Sequence, residues 1–416
     1  MIASRDKYLQ QLIASMGNGM VKIVTGIRRS GKSFLLMTLF HQYLVQQGVQ
    51  ENHIIEISLD NRKNKRLRNP DALLEFIDSK IQTDGQVHYI ILDEVQLIED
   101  FVEVLLSLMQ DNRLDVYVSE SNSKFLSKDI VTEFRGRGDE IHLFPLSFSE
   151  YYAAVGGDKH DVWKDYYTYG GLPQILQFDN EEKKINYLTD LYNLTYLKDI
   201  VERNKLRNVE GLRTLIRVLA SNIGSSTNPK RICDTFQSVE HIGMKDSTIR
   251  EYLGYLQDSY LIEEALRYDV KGRKYIGTET KYYFVDMGIR AAILNMRQQE
   301  ETHIMENIIY NELRVRGYQV DVGKVETWTT SEDNKTKRLS LEIDFVVNKG
   351  SERIYIQSAY RMPTEEKAGQ EKRSLLNTND NFRKIIIVGE DIKRKTDEQG
   401  ITTIGLLDFL LDTNSI

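Results

Sequence analysis

The stretch Gly26-Ile27-Arg28-Arg29-Ser30-Gly31-Lys32-Ser33 constrains the fold of this chain more than any other, because of what flanks it. Before it runs the β-branched segment Val21 to Val24, which reads as a buried parallel strand. After it, Leu36, Leu39, Phe40, Tyr43 and Leu44 recur at helical spacing. A strand, a glycine loop closed by Gly-Lys-Ser, and a helix form a phosphate cradle. Gly26 and Gly31 let the backbone curl so that N–H groups converge on phosphate oxygens, and the helix N-terminus adds partial positive charge. The cradle is expected to span Gly26, Ile27, Arg28, Arg29, Ser30, Gly31, Lys32, Ser33 and Phe34. Lys32 would reach the β and γ phosphates and the Ser33 hydroxyl would ligate Mg2+.

A phosphate cradle of this kind needs a carboxylate beside it. The apolar run Tyr89 to Leu92 ends in Asp93-Glu94, at the carboxyl end of a strand where a doubly wound sheet places its ligand. Asp93 is expected to hold Mg2+, and Glu94 to orient and activate the attacking water. A further strand, Val116 to Val118, leads to Ser121-Asn122-Ser123, where Asn122 can sense the γ-phosphate. Arg135 and Arg137, in "FRGR", are candidates to stabilise the transition state in their own site or a neighbour's. The fold class is therefore α/β, with a P-loop doubly wound parallel sheet at the amino end.

Length and composition frame the rest. A chain of 416 residues exceeds one compact core and points to several domains. A net charge of −7 argues against coating nucleic acid by bulk positive charge, while leaving room for a local basic face. One cysteine, Cys233, excludes an internal disulfide framework and a cysteine-based zinc cluster. No stretch approaches the roughly 20 apolar residues that a spanning helix needs, so the expected setting is cytoplasmic, with no membrane partner.

From Asn208 the pattern changes. Leu212, Leu215, Ile216 and Leu219 form one apolar stripe, and Ile249, Tyr252, Leu253 and Leu256 another. Two strands joined by a basic loop holding Lys271, Arg273 and Lys274 follow. Three helices and such a hairpin make a winged helix-turn-helix arrangement, which would set a helix in the major groove of double-stranded DNA, with the hairpin on phosphates. Asp246 and Glu251 thin the positive field of that helix, and a protein partner is the alternative.

In "LEIDFVV", alternation sets Ile343, Phe345 and Val347 on one face and Glu342 and Asp344 on the other. In "IYIQSAY", Tyr355, Gln357 and Ala359 share a face.

The ordered set "TGIRRSGKS", "IILDEVQ", "SNSKFLS", "FRGR", "FPLSFSEYY" and "YGGLPQIL" resembles the bacterial and archaeal AAA-type ATPases that carry an uncharacterised C-terminal domain. The resemblance runs along nearly the whole chain. It implies ATP rather than GTP as the nucleotide, and it implies that Gly170-Gly171-Leu172-Pro173 belongs to a lid near the base, with Pro173 in the nucleotide site. It admits a homo-oligomer, in which an arginine could act on a neighbour. This chain departs from the family in having Glu120 where glycine is usual. That puts hydrolysis in doubt more than binding, unless the side chain points to solvent.

The order helix, three strands, helix, strand after residue 299 resembles the PD-(D/E)XK nuclease fold. That resemblance implies a second metal held by Asp344 and Gln357, with Glu306 adding a carboxylate. Ala359 stands where a catalytic lysine belongs, so a shape kept without cutting is expected, unless Lys349 or Lys367 substitutes. The expected division is a P-loop AAA-type core at 1–150, a helical lid at 151–207, a winged helix at 208–298 and a nuclease-like domain at 299–416. Three functions fit: an ATPase driving the later domains on DNA or a partner, a nucleotide-gated binding module, or an ATP-gated nuclease.

Overall fold

The computed structural model describes residues 3–121, 136–238, 244–297, 300–330 and 336–416. The amino-terminal sheet holds β1 (Val21–Thr25), β2 (Ile54–Ser58), β3 (His88–Asp93), β4 (Leu114–Ser119) and β5 (Gly138–His142). Its order is β2-β3-β4-β1-β5, and every pairing is parallel. Parallel strands need crossovers that cover both faces, so apolar residues must point both ways. Ile23, Ile90, Leu92, Val116 and Val118 pack on one face against helices Pro70–Asp78 and Phe101–Leu108. Val24, Ile91, Tyr117 and Ile141 pack on the other against the chain of helical turns from Lys32 to Gln46. That helix includes a π-helical stretch, Leu35–Phe40. On the same face the Lys22 ammonium is buried against Asp115, whose second oxygen accepts from Tyr117 at 2.8 Å.

The chain leaves β1, which lies beside the edge strand β5, and reaches the far edge at β2, so β4 and β3 are laid in between. The carboxyl ends of β1, β4 and β3 are thereby neighbours, and the loops that follow them share one crevice.

The remainder forms a second body. Helices Phe148–Val155, Lys159–Tyr169, Val209–Ser221, Pro229–Ser238 and Asp246–Asp258 precede β6 (Ile262–Asp269) and β7 (Lys274–Phe284). The stripes Leu212/Leu215/Ile216/Leu219 and Ile249/Tyr252/Leu253/Leu256 are buried, as their spacing requires. Then come β8 (Gln319–Thr330), β9 (Thr336–Lys349), β10 (Glu352–Ala359), β11 (Arg383–Val388), β12 (Lys395–Thr396) and β13 (Ile401–Gly405). All eight strands form one mixed sheet, ordered β12-β13-β11-β10-β9-β8-β6-β7. The β6–β7 hairpin is thus an edge of the carboxyl-terminal sheet, joined by parallel pairing of Arg267 with Val322 and Asp269 with Lys324. One apolar cluster runs from Phe144 and Leu146 through Leu215 and Leu253 to Phe345 and Leu410. The segments expected as lid, middle domain and last domain therefore share a core, because each amphipathic helix there buries its stripe against the next segment.

The expected alternation in β9 is broken. Asp321 pairs with Val346 but Gly323 with Ile343, so β9 carries one extra residue. Ile343 joins Val346 on the face covered by Leu375, while Phe345 and Val347 lie on the opposite face against the cluster around helix Glu301–Val315.

Within the second body, the turn Gly170-Gly171, which leads to Pro173 beside the phosphate loop, is fastened to helix Met287–Ile293. The buried Asp286 carboxylate accepts the Gly171 N–H at 2.7 Å and the Ile289 N–H at 3.0 Å, capping helix Met287–Ile293. Gly170 has φ +77°, and a Cβ there would lie 2.3 Å from Asp286 Oδ1. Gly288 in turn admits no side chain, since a Cβ would sit 2.0 Å from the Tyr169 carbonyl oxygen. Gly288→Ala is expected to lower stability by about 1–3 kcal/mol or more, because backbone on both sides must separate. Urea unfolding followed by tryptophan fluorescence measures this, and an unchanged midpoint would refute the close contact.

Candidate functional site

The phosphate loop adopts the shape its glycines permit. Gly26 has φ +133°, and a Cβ there would meet the Leu143 carbonyl oxygen at 2.2 Å; Gly31 has φ +101° and starts the helix. Arg29 also has positive φ, at 67°. Ile27 and Ser30 are buried, and the Ser30 hydroxyl has no hydrogen-bond partner among the described residues. Phe34 lies in the first helical turn. Lys32 is buried and donates to the carbonyl oxygens of Gly26 at 2.9 Å and Ile27 at 3.1 Å. Burial pulls its pKa down to about 8, against the opposing pull of Glu94 and Asp93. A bound phosphate group would further favour the charged ammonium.

The two motifs meet. The Ser33 hydroxyl donates toward both Asp93 oxygens, at 2.9 and 2.8 Å. Ser119, at the end of β4, bonds the same carboxylate and accepts the Glu94 N–H at 3.0 Å. Burial raises the Asp93 pKa, and the Ser119 and Ser33 hydroxyls hold it down. A hydroxyl and a carboxylate this close are the donor set that a hard, oxygen-seeking Mg2+ takes from protein alongside phosphate oxygens, so the residues fit a Mg–nucleotide. Glu94 has left-handed backbone, φ 59°, ψ 53°. Its carboxylate accepts from the Ser121 hydroxyl at 2.9 Å and from the Gln96 amide. The sequence motifs did not single out Ser119; it was hidden as the last residue of a strand.

Other expected residues are distributed unevenly. Asn122 and Arg135 lie outside the described residues. Arg137 is exposed, and its carbonyl oxygen accepts from Val21 N at 3.1 Å, at the amino end of β1. The phosphate loop leaves the other end of that strand, roughly 13 Å away at 3.3 Å per residue, so the backbone of Arg137 lies at the end of the sheet away from the loop. Pro173 lies against the loop itself, its Cγ 3.7 Å from where a Gly31 Cβ would be. Helical residues 191–203 also reach the loop: Tyr196 donates to the Arg28 carbonyl oxygen at 2.7 Å, and Asp199 pairs with the Arg28 guanidinium at 2.7 Å. No local motif marked these residues, because their partners are more than 160 positions away.

Glu120 does not point to solvent. Its N–H bonds Val24 O at 2.9 Å, and its side chain is wholly buried with both carboxylate oxygens lacking a partner among the described residues. Burial pushes its pKa up to about 8; Arg203 and Lys32 oppose this, while Glu94 and Glu140 add to it.

A second polar cluster lies in the carboxyl-terminal sheet. Lys281, from β7, donates to Glu306 at 2.9 Å and Glu342 at 2.8 Å. Tyr283 donates to Glu306 at 2.7 Å, and Asp344 accepts from the Ser358 N–H at 2.7 Å. Gln357 Oε1 stands 3.4 Å from the Asp344 N–H. Burial, with Glu306 beside it, raises Asp344 to about 7, and Lys281 opposes. Gly224 closes over the cluster, a Cβ there lying 3.0 Å from both Glu306 oxygens. The structure thus brings Asp344, Gln357 and Glu306 together, but around an ammonium. A dication there would have to displace Lys281 from its carboxylates, so these residues do not fit a metal as they stand. Neither Lys349, bonded to the Arg316 carbonyl oxygen at 3.0 Å, nor Lys367, paired with Glu371 at 2.7 Å, takes the place opposite Ala359.

Two outcomes follow for stability. Between pH 4.5 and about 8 an unfolded chain ionises Glu120 while the folded one keeps the proton, so this residue's contribution falls as pH rises through that window. Glu120→Gln is therefore expected to match the parent near pH 4 and to exceed it by about 2–4 kcal/mol at pH 8 to 9. Equal stability at both ends would show that the carboxylate is solvated. Lys281→Met, which strands two carboxylates, is expected to cost about 3–5 kcal/mol. Adding Glu306→Gln should restore part of that loss in urea unfolding, and no restoration would deny the pairing.

Residues 18–152 match the AAA domain family, and residues 160–300 and 301–409 match two domains of unknown function, DUF8612 and DUF4143. An uncharacterised protein of Haemophilus influenzae is 32% identical over 413 residues, covering 98% of each chain. The uncharacterised protein MJ1544 of Methanocaldococcus jannaschii is 24% identical over 360 residues, 82% of this chain and 75% of its own. Among solved structures, a Walker-type ATPase of Pyrococcus abyssi aligns with 70% of this chain and 96% of its own, at 14% identity and a TM-score of 0.49. Cdc6p of Pyrobaculum aerophilum aligns with 74% and 95%, at 13% identity and a TM-score of 0.32. Likenesses that distant carry no argument about function. At 32% identity along 98% of each chain, the protein belongs to the family of the Haemophilus influenzae protein, in which an AAA-type P-loop domain is followed by two domains of unknown function.

Proposed function

We propose that this chain is a Mg2+-dependent ATPase whose nucleotide state is passed to the carboxyl-terminal body. The observation that carries the reading is the Ser33 hydroxyl set between both Asp93 oxygens, beside a buried Lys32. Bound Mg2+ supplies neutralisation of charge on the terminal phosphates. Loop N–H groups and Lys32 hold those phosphates, Ser33 and Asp93 hold the ion, and Glu94 accepts a proton from the attacking water. Asn122 belongs to the same reading as the γ-phosphate contact. Arg135 stabilises the transition state in its own site or a neighbour's, and Arg137 acts on a neighbour's, in an oligomer; the exposure of Arg137, just before the amino end of β5, supports the latter.

Transmission is supported by Arg28–Asp199, Tyr196 and Pro173, all of which join the phosphate loop to the helical segment. In this reading residues 151–207 are the lid, 208–298 a winged helix and 299–416 a nuclease-like domain that binds without cutting. Its partner is double-stranded DNA or a protein, met in the cytoplasm. Lys281 among Glu306 and Glu342 weighs against an ATP-gated nuclease. A second reading, a nucleotide-gated binding module with slow turnover, is favoured by one observation, the buried carboxylate of Glu120 beside Lys32 and Glu94.

Magnesium-dependent ATP turnover of the whole chain tests the proposal, with and without duplex DNA. Lys32→Ala is expected to abolish turnover, and Glu94→Gln to lower it about 10²-fold while nucleotide still binds. Turnover that survives Lys32→Ala would sink the ATPase reading. Tight binding with negligible turnover in the unaltered chain would select the binding module.

A further inference from the structure

The hairpin turn between β6 and β7 faces the turn between β9 and β10 across a groove of about 580 Å³, open to solvent. This is the size of many ligand sites, and it is remote from the nucleotide loop. At its floor the Arg353 guanidinium lies over two rings, 5.2 Å from the centre of Tyr268 and 5.4 Å from that of Phe382. Asn348 fixes it, accepting from Arg353 Nε at 2.9 Å. Phe382 is 42% exposed, and Tyr275, edge-on to Tyr268 at 5.5 Å, is 60% exposed. Each ring is held in place, Phe382 edge-on to Tyr355 at 6.1 Å and Tyr275 against Tyr268, yet each keeps much of its surface in water.

The charges around the groove are unequal. Its acids are already engaged: Glu352 with Arg383 at 3.0 Å, Asp380 by the Tyr355 hydroxyl at 2.7 Å, and Asp269 by the Gly272 N–H at 2.9 Å. Tyr275 likewise donates to Asp321 at 3.1 Å. Lys271 and Arg273 are exposed and form no ion pair with a described residue. Lys271 is nonetheless placed, donating to the Glu326 carbonyl oxygen at 2.8 Å, and the Val270 N–H ties the turn to Lys324 O at 3.0 Å. The turn therefore presents cations on a fixed frame, in a protein whose net charge is −7.

Exposed ring faces beside fixed cations suit a ligand that alternates flat bases with phosphates, and only an unpaired strand leaves its base faces free. We infer that this groove binds single-stranded nucleic acid, with a base stacked on Phe382, which lines it, a neighbouring base on Tyr275, which packs against the lining residue Tyr268 just outside it, and phosphates on Lys271 and Arg273. The inference rests on the reading that the hairpin meets nucleic acid, and it replaces a duplex there with a single strand.

Fluorescence anisotropy of a labelled oligothymidylate with the whole protein tests this, beside oligouridylate, a blunt duplex and free thymidine monophosphate as competitor. Lys271→Glu with Arg273→Glu is expected to weaken oligothymidylate binding at least tenfold, and Phe382→Ala about tenfold. Tyr275→Ala, at a more exposed ring, should weaken it too and guards against a folding defect in the Phe382 variant. The ratio of oligothymidylate to oligouridylate affinity assigns DNA or RNA as the source, and tight binding of either supports the inference. Equal affinity for the duplex, with both aromatic variants unaffected, would overturn the groove and leave the hairpin as a duplex contact. Free monophosphate binding as tightly as the oligomer would overturn the strand. No binding of strand or duplex would overturn both readings.

Discussion

A single buried carboxylate organises the junction on which this molecule depends. Asp286 begins a helix of the second body and at the same time holds the Gly170-Gly171 turn that leads to Pro173 and the phosphate loop. Burial pushes it up to about 6, and the backbone N–H groups that surround it hold it down. Donors on two elements converging on one acceptor leave little freedom in their spacing. Both neighbouring glycines are there because no Cβ fits. The nucleotide crevice thus has one wall made by the sheet and another positioned by the carboxyl-terminal body.

What was legible in the sequence was what is local. The loop from Gly26 to Ser33 and the pair Asp93-Glu94 each declare themselves within a dozen residues, because strand, turn and helix chemistry is short-range. Their meeting through Ser33 followed from the strand order that a doubly wound sheet imposes. The amphipathic stripes at 212–219 and 249–256 were readable for the same reason.

What was not legible depends on distant partners. Lys281 enters its carboxylate cluster from a strand 25 residues before Glu306 and more than 60 before Asp344, so no spacing rule connects them. The extra residue in β9 moves Ile343 to the other face from Phe345, and nothing in the alternation of "LEIDFVV" announces it. Glu120 could be read as a solvated loop residue because its neighbours are polar. Its burial comes from segments far along the chain, the helix ending at Arg203 among them. Arg137 could be named from the sequence as a candidate cation, but not the end of the strands at which it sits, which strand pairing alone decides.

The single apolar cluster from Phe144 to Leu410 bears on how such a chain can be assembled by evolution. A segment that completes its own core can be shuffled between genes and arrive folded. Residues 151–207 and 208–298 cannot travel that way, since each lends its apolar stripe to the next and the β6–β7 hairpin finishes a sheet begun elsewhere. The phosphate-loop sheet, by contrast, has apolar clusters of its own on both faces. A substitution in any segment of the second body is therefore felt by the other segments that share its core.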